Sequence, residues 1–295
     1  MKTPLPNSST RNNSSTRTGL LFSSWNRRKR TLAAIIVASI FLTTLLGTGL
    51  LLSDDGLKTQ LQLRNQAPSL EHLFGTDWLG RDMLTRTLKG LLLSFWVGVI
   101  ASFSSVIISI ILGIMAGTLG RYVDAFISWL IDLFLSVPHL LALILISFAL
   151  GGGFKGVVIG VALTHWPRLA RLIRAEILQL RSSEYIQISK RLGKSNWWIA
   201  RKHMMPHIVP QALVGFLLLF PHAILHEAGV TFLGMGLSSS QPAIGIILSE
   251  SMRYLSAGMW WLALFPGLCL LLMVRMFDII GENLRLMLHP HEARK

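Results

Sequence analysis

An all-α, polytopic transmembrane bundle of about six spans is the fold class this sequence predicts, and three observations carry that expectation. Hydrophobic residues fill 52% of the 295 positions and charged residues only 14%, whereas an ordinary soluble domain has about 25% charged residues. The apolar residues are gathered into long runs, and about 20 such residues in sequence cross a bilayer. The basic residues alternate across those runs. Of 28 Lys and Arg, 21 lie in segments 1–30, 120–124, 168–207 and 275–295, against 7 in 53–90, 151–155 and 233–258. Basic residues accumulate on the cytoplasmic side of membrane proteins, so both termini are expected there. The net charge of +14 is thereby a matter of topology, and nucleic acid is not an expected partner.

The spans follow in order. Residues 31–52 contain no charge and are too long for the apolar core of a signal peptide, which runs about 7–15 residues, so they are expected to stay as the first span. The 30 residues before them are rich in Ser, Thr and Asn and are expected to be a disordered, basic cytoplasmic segment. A second span covers 91–119. The third, 125–150, contains Asp132 and Pro138. The fourth starts at 156–166 and is expected to continue as helix through the basic turns of 168–180. The fifth covers 208–232 and the sixth 259–279, followed by a cytoplasmic tail from 284 to 295. Cys269 stands alone in the chain, which rules out a disulfide framework and a cysteine metal site.

Two connecting segments are too long to be simple turns. The outer loop, 53–90, contains EHLFGTDWLGRD, where glycines and aspartates predict a turn leading into an amphipathic helix before the second span. The other, EYIQISKRLGKSNWWIARKHMMP at 184–206, reads as a helix–turn–helix. Tyr185, Ile188 and Leu192 share one face, Gly193 suits the position after a helix C-terminus, Ser195 an N-cap, and Pro206 a stop. Gly193-Lys194-Ser195 imitates the end of a phosphate-binding loop, but Ile188 stands where that motif needs its first glycine. The chain is therefore expected to bind no nucleotide and to need no cofactor.

These residues resemble a family. The 184–206 segment is similar to the EAA loop of bacterial ABC importer permeases: Gln187-Ile188-Ser189 stand where Glu-Ala-Ala is usual, and Gly193 and Pro206 keep their spacing beside Glu184 and Tyr185. HLFGTDWLGRD (72–82), HEAGVTFLGMG (226–236) and GENLRLMLHP (281–290) resemble motifs of dipeptide, oligopeptide and nickel permeases, with Glu282, Leu286 and His289 as departures in the last. The resemblance implies the second permease subunit of such an importer, in the bacterial inner membrane, with residues 91–283 as its permease core. It also implies a second permease as heterodimer partner, two ATPase subunits and an extracytoplasmic substrate-binding protein. In that frame Glu184, Tyr185, Gln187, Ser189, Gly193 and Pro206 belong to a coupling element lying in a cleft of an ATPase. The chain itself is not an enzyme.

The stretch PHAILHEAG (221–229) bears on the cargo. His-Glu is the start of the HExxH zinc-protease motif, but Val230 stands where the second histidine is needed. His222 and His226, one helical turn apart, are about 6 Å apart at Cβ and offer a pair of nitrogen ligands to Ni²⁺, Zn²⁺ or Co²⁺. His139 and His165 are further candidates, and Glu227 completes the set of possible pathway residues. Nickel-type permeases resemble this chain in carrying His-x-x-x-His before Ala-Gly and a Ser-His-Trp where Thr164-His165-Trp166 lies. That likeness implies nickel or a chelated transition metal as cargo, with a di- or oligopeptide as the alternative. A structural reading stands beside it, in which neutral histidines bond backbone carbonyls near a broken helix. Asp132, at a cost of about 2.5–3.5 kcal/mol in mid-membrane, needs a partner, for which Arg168 and Arg121 are the candidates.

Overall fold

The computed structural model describes residues 27–238 and 240–288. The expected disordered segment 1–30 lies outside the described residues except for its last four positions, and so do residues 289–295 of the tail. The described residues hold ten α-helices: α1 (Arg27–Leu51), α2 (Met83–Thr118), α3 (Arg121–Ser136), α4 (His139–Ala149), α5 (Gly153–Arg181), α6 (Glu184–Arg191), α7 (Asn196–Ile199), α8 (Met205–Phe232), α9 (Ile244–Leu255) and α10 (Trp261–Leu288), with two short 3₁₀ turns, Asp54–Leu57 and Leu61–Leu63, before α2. Among the described residues, the one β contact is an isolated bridge between Thr76 and Asp82.

α2 and α5 form the central pair. Small residues of α2 let the backbones approach, as expected where helices associate without help from water. A Cβ on Gly113 would come within 2.7 Å of Ile173, and one on Gly117 within 2.3 Å of Ile177. Ser109 Oγ donates to the Trp166 carbonyl at 2.9 Å. At the far end Arg181 donates to the Gly117 carbonyl, so α5 runs beside α2 to the end of it. Among the described residues, four helical runs are long and apolar enough to cross a membrane by composition, or five if the bent pair α3–α4 is taken as one. The shortfall from six is α5. Its second half carries Arg168, Arg171, Arg174 and Arg181, and acids on α3 answer part of that charge. Arg174 pairs with Asp124 and Arg171 with Asp132. The partner of Asp132 is therefore Arg171, not Arg168 or Arg121: it lies one turn further along α5, where α3 packs.

The third span is not one helix. α3 and α4 meet at 97°, because the ring of Pro138 keeps Val137 out of the helical region (φ −87°, ψ 136°). The loop 53–90 is shorter than expected, and no separate amphipathic helix precedes α2. Asp82 caps the helix directly, accepting from the Thr85 N–H at 2.8 Å, so residues 83–90 are already its first turns. α9 is an addition that sequence periodicity left unread within 233–258. Its Ile244, Ile246 and Ile247 are buried and its other face is exposed.

Ser195 caps α7 by accepting from the Trp198 N–H. Pro206, however, does not stop that helix. Residues Ala200–Met204 widen into a π turn that leads straight into α8, and a wider turn makes room for a ring that would otherwise strike the carbonyl four residues back. Pro210 and Pro221 lie further inside α8.

The segment before α2 is tied down by Asp77, fully buried, which accepts from the N–H groups of Leu79 and Arg81 and from the Arg81 and Arg86 guanidinium groups. Arg86 also reaches Glu250 on α9. Trp78 stacks on Tyr254 with ring centroids 4.9 Å apart, and Phe74 on Phe265 at 4.6 Å. The glycines of HLFGTDWLGRD are obligatory: Gly80 has φ +73°, and a Cβ there would sit 1.8 Å from the Gln60 carbonyl oxygen. Gly80→Ala is accordingly expected to destabilise the protein by at least about 2 kcal/mol, read as a lowered thermal midpoint in detergent. A wild-type midpoint would show that the Gln60 backbone gives way.

Candidate functional site

Three histidines that are far apart in the sequence meet inside the bundle. His139 is the first residue of α4, placed by the break at Pro138. His165 lies mid-way along α5, and His226 lies six residues before the end of α8. Ring centroids are 4.3 Å apart for His139–His165, 4.5 Å for His139–His226 and 5.2 Å for His165–His226. One ring nitrogen from each lies within 4.8 Å of the other two. His165 is 8% exposed, and His139 and His226 are half-buried.

The protonation pattern of His165 follows from its neighbours. Its Nδ1 lies 2.9 Å from the Val161 carbonyl oxygen. A carbonyl only accepts, so Nδ1 carries the proton and donates, which leaves a lone pair on Nε2. That Nε2 is buried and has no hydrogen-bond partner, and the same holds for the Nε2 of His139.

His222, the other half of the expected metal pair, is exposed and outside this group. Its spacing puts it a turn away from His226 along α8, whereas the bend before α4 brings His139 directly against the His226 ring. Glu227, next to His226 in the chain, is fully buried. Thr231 Oγ1 donates to its Oε1 at 2.9 Å, and that hydroxyl in turn accepts from the Leu237 N–H. The carboxylate thus anchors the turn that follows α8, where Cβ atoms on Gly236 or Gly245 would strike Thr231 and the Ala228 carbonyl.

Two clefts lie on either side of the histidines. One, of about 1000 Å³, is lined by Phe148, Gly152, Met235, Ser249, Glu250 and Arg253. The other, of about 510 Å³, is lined by Leu172, Glu176, Gln179, Gln211, Leu218 and Arg285. Along α5 and along α8 alike, the histidines fall between the residues of the two clefts.

At the far end of α5, helices α6 and α7 form a compact corner. Gly193 (φ +76°) follows the last turn of α6, with its N–H on the Lys190 carbonyl and that of Lys194 on the Ser189 carbonyl, the paired bonds of a Schellman ending. Ile186 and Ile199 are buried beneath it. His203 joins the two helices: Ser189 Oγ lies 3.2 Å from its Nε2, and Tyr185 and Trp198 pack edge-on against its ring. The sequence singled out Ser189 and Tyr185 but not His203, whose only signal is its spacing from Trp198. The expected apolar face, Tyr185, Ile188 and Leu192, points outward together with Trp197, which is 75% exposed. Gln187 donates to the Ser182 carbonyl, and Glu184 is exposed in the first turn of α6.

Residues 109–286 match the family described as binding-protein-dependent transport system inner membrane component, and the chain belongs to it. It is an ABC importer permease, a multi-pass protein of the inner membrane. It is 35% identical over 269 residues to the dipeptide transport system permease protein DppC of Alkalihalophilus pseudofirmus, covering 91% of this chain and 88% of that one. To the dipeptide permease DppC of Bacillus subtilis it is 32% identical, covering 92% and 85%, and to the oligopeptide permease OppC of the same organism 33%, covering 79% and 76%. The fold is similar to that of the MetNI methionine ABC transporter in inward-facing form, with TM-score 0.57 and 16% identity over 69% of this chain and 96% of that one.

Replacing Thr231 by Val removes the hydrogen bond to Glu227 Oε1 and leaves the Leu237 N–H without its acceptor. The expected cost is about 1–3 kcal/mol, measured as a lower thermal midpoint, with Thr231→Ser restoring most of it.

Proposed function

We propose that this chain forms half of the translocation pathway of an ABC importer for di- or oligopeptides. The observation that supports the substrate class is the similarity, over nine-tenths of the chain, to permeases named for dipeptide transport. Nickel as the principal cargo, which the histidine spacing and a likeness of motifs implied, gives way to that reading. The partners proposed are a second permease, two ATPase subunits and an extracytoplasmic binding protein, with both termini in the cytoplasm.

The passage would run between the two clefts, past His139, His165, His222 and His226. An ionisable side chain within a span normally faces the bundle interior or water, not lipid, and both His222 and Arg168 are exposed on this chain alone. The face that carries them is therefore turned to the partner permease or to the passage. The α6–α7 corner would dock on an ATPase, with Leu192, Trp197 and Tyr185 as apolar anchors and Lys190, Arg191 and Lys194 around them.

Cells carrying the operon are expected to accumulate a radiolabelled dipeptide, and cells lacking this chain are not. Trp197→Ala combined with Leu192→Asp is expected to reduce uptake at least about ten-fold, the loss of roughly 1.4 kcal/mol or more at the docking face, while the permease still reaches the membrane. Undiminished uptake in that variant would exclude the corner as a docking face. Failure of wild-type cells to take up any peptide of two to five residues would exclude the substrate class.

A further inference from the structure

We propose that Arg253 on α9 is a specificity-determining residue. In the larger of the two clefts it binds the free C-terminal carboxylate of a peptide, so that this chain, and not a binding protein alone, selects for an anionic terminus.

The charge around the cleft singles out this residue. Glu250 and Arg253 are the charged side chains that line it, one turn apart on α9. Glu250 is already answered. Arg86, 2% exposed, bonds to it, Arg81 stands 4.0 Å away, and both guanidinium groups also hold the buried Asp77. Two acids and two arginines thus close a neutral quartet. Arg253 stands outside it: the side chain is exposed and forms no ion pair among the described residues. A planar guanidinium offers parallel N–H donors that match the two oxygens of a carboxylate. It repels an ammonium.

The walls suit a peptide main chain beside that group. Gly151, Gly152 and Gly153 have φ of +84°, +65° and +66°, a left-handed path that glycine alone takes without strain. A Cβ on Gly151 or Gly153 would meet nothing within 4 Å, so this wall is bare backbone with open space before it. Phe148 and Met235 line the same space as exposed apolar side chains and offer contact to a peptide side chain. A dipeptide spans at most about 7 Å, and residues at i and i+3 of a helix are about 5–6 Å apart at Cβ. Laid along α9 with its carboxylate on Arg253, a dipeptide brings its ammonium to Glu250, whose charge Arg86 and Arg81 already balance. Recognition is for that reason one-sided: the carboxylate carries it and the amino group adds little. The terminal carboxylate is also the one anionic group that every unmodified peptide has, whatever its side chains.

The class of ligand rests on the import reading above, and the role of Arg253 is tested separately from it. The complex with its partner permease and ATPases is placed in lipid nanodiscs without binding protein. This chain carries Cys269→Ser and, beside Glu250 in the cleft, Ser249→Cys, and alkylation of the cleft thiol by a maleimide is timed. Alanylalanine and its N-acetyl derivative are expected to slow the reaction at concentrations within about three-fold of each other, and alanylalanine amide only at concentrations at least about ten-fold higher. Arg253→Gln is expected to bring both acids to the level of the amide. Arg253→Lys, a point charge without the fork, is expected to lose part of the preference and decides the matter if the first variant does not assemble. The α-amide of alanylglutamate, whose carboxylate sits on a side chain, is expected to behave as an amide; protection equal to that by alanylalanine overturns the assignment to the terminus. Wild-type protection by the amide as strong as by the acid, no protection by any of them, or a preference unchanged in both variants overturns the role of Arg253. Uptake of labelled dipeptide by cells, without protection in nanodiscs, leaves the import reading intact and defeats this one. Protection without uptake of any peptide does the reverse.

Discussion

The bundle depends on how closely α5 lies against α2. Gly113 and Gly117 admit Ile173 and Ile177 where any side chain would clash, and Ser109 ties the two backbones by donating to the Trp166 carbonyl. That contact fixes the depth and rotation of α5, and α5 carries the molecule's most demanding cargo of polar groups. His165 faces the space shared with α4 and α8. Arg171 and Arg174 face α3, where Asp132 and Asp124 meet them. A different rotation of α5 would turn arginines toward lipid and the histidine into the α2 contact, each at a cost of several kcal/mol. The close packing and the polar pattern are one constraint seen from two sides.

A second constraint is that backbone groups within a membrane must find partners in the protein. Of the breaks between helices, those after α8 and after α4 are sealed by neighbours. After α8, Thr231 takes the Leu237 N–H and Gly236 gives its carbonyl to the Gly153 N–H. After α4, the N–H of Gly152 returns to the Ser147 carbonyl. Glu227, fully buried beside this turn, accepts from the Thr231 hydroxyl that takes part in the sealing. The break before α4 has the opposite outcome. It opens the helix end that carries His139 and brings that ring against His226.

Much of the architecture was legible in the sequence because it is written in local patterns. Apolar runs marked α1, α2, α8 and α10, and Gly193 and Ser195 marked the corner between α6 and α7, whereas the run 125–150 read as one span and the break at Pro138 went unread. What local pattern does not hold is three-dimensional neighbourhood. His222 and His226 looked like a pair because they are a turn apart, yet His226 meets His139 and His165, 87 and 61 positions earlier. The partner of Asp132 was off by one turn of α5 for the same reason. α9 escaped notice because twelve residues between two spans read as loop unless Glu250 is known to meet Arg86. Pro206 misled because a helix that widens to a π turn keeps going where a regular one would stop.

The prolines of α8 have a mechanical consequence. Pro206, Pro210 and Pro221 lie 4 and 15 residues apart from the first, which at about 100° per residue places all three within an arc of roughly 60° on one face of the helix. Each removes a ladder hydrogen bond on that face and none on the others. Such a helix is stiff along its length and across one direction, and yields in a single plane, like a leaf spring. That plane is common to the whole continuous helical run from Trp197 to His226, roughly 40 Å long.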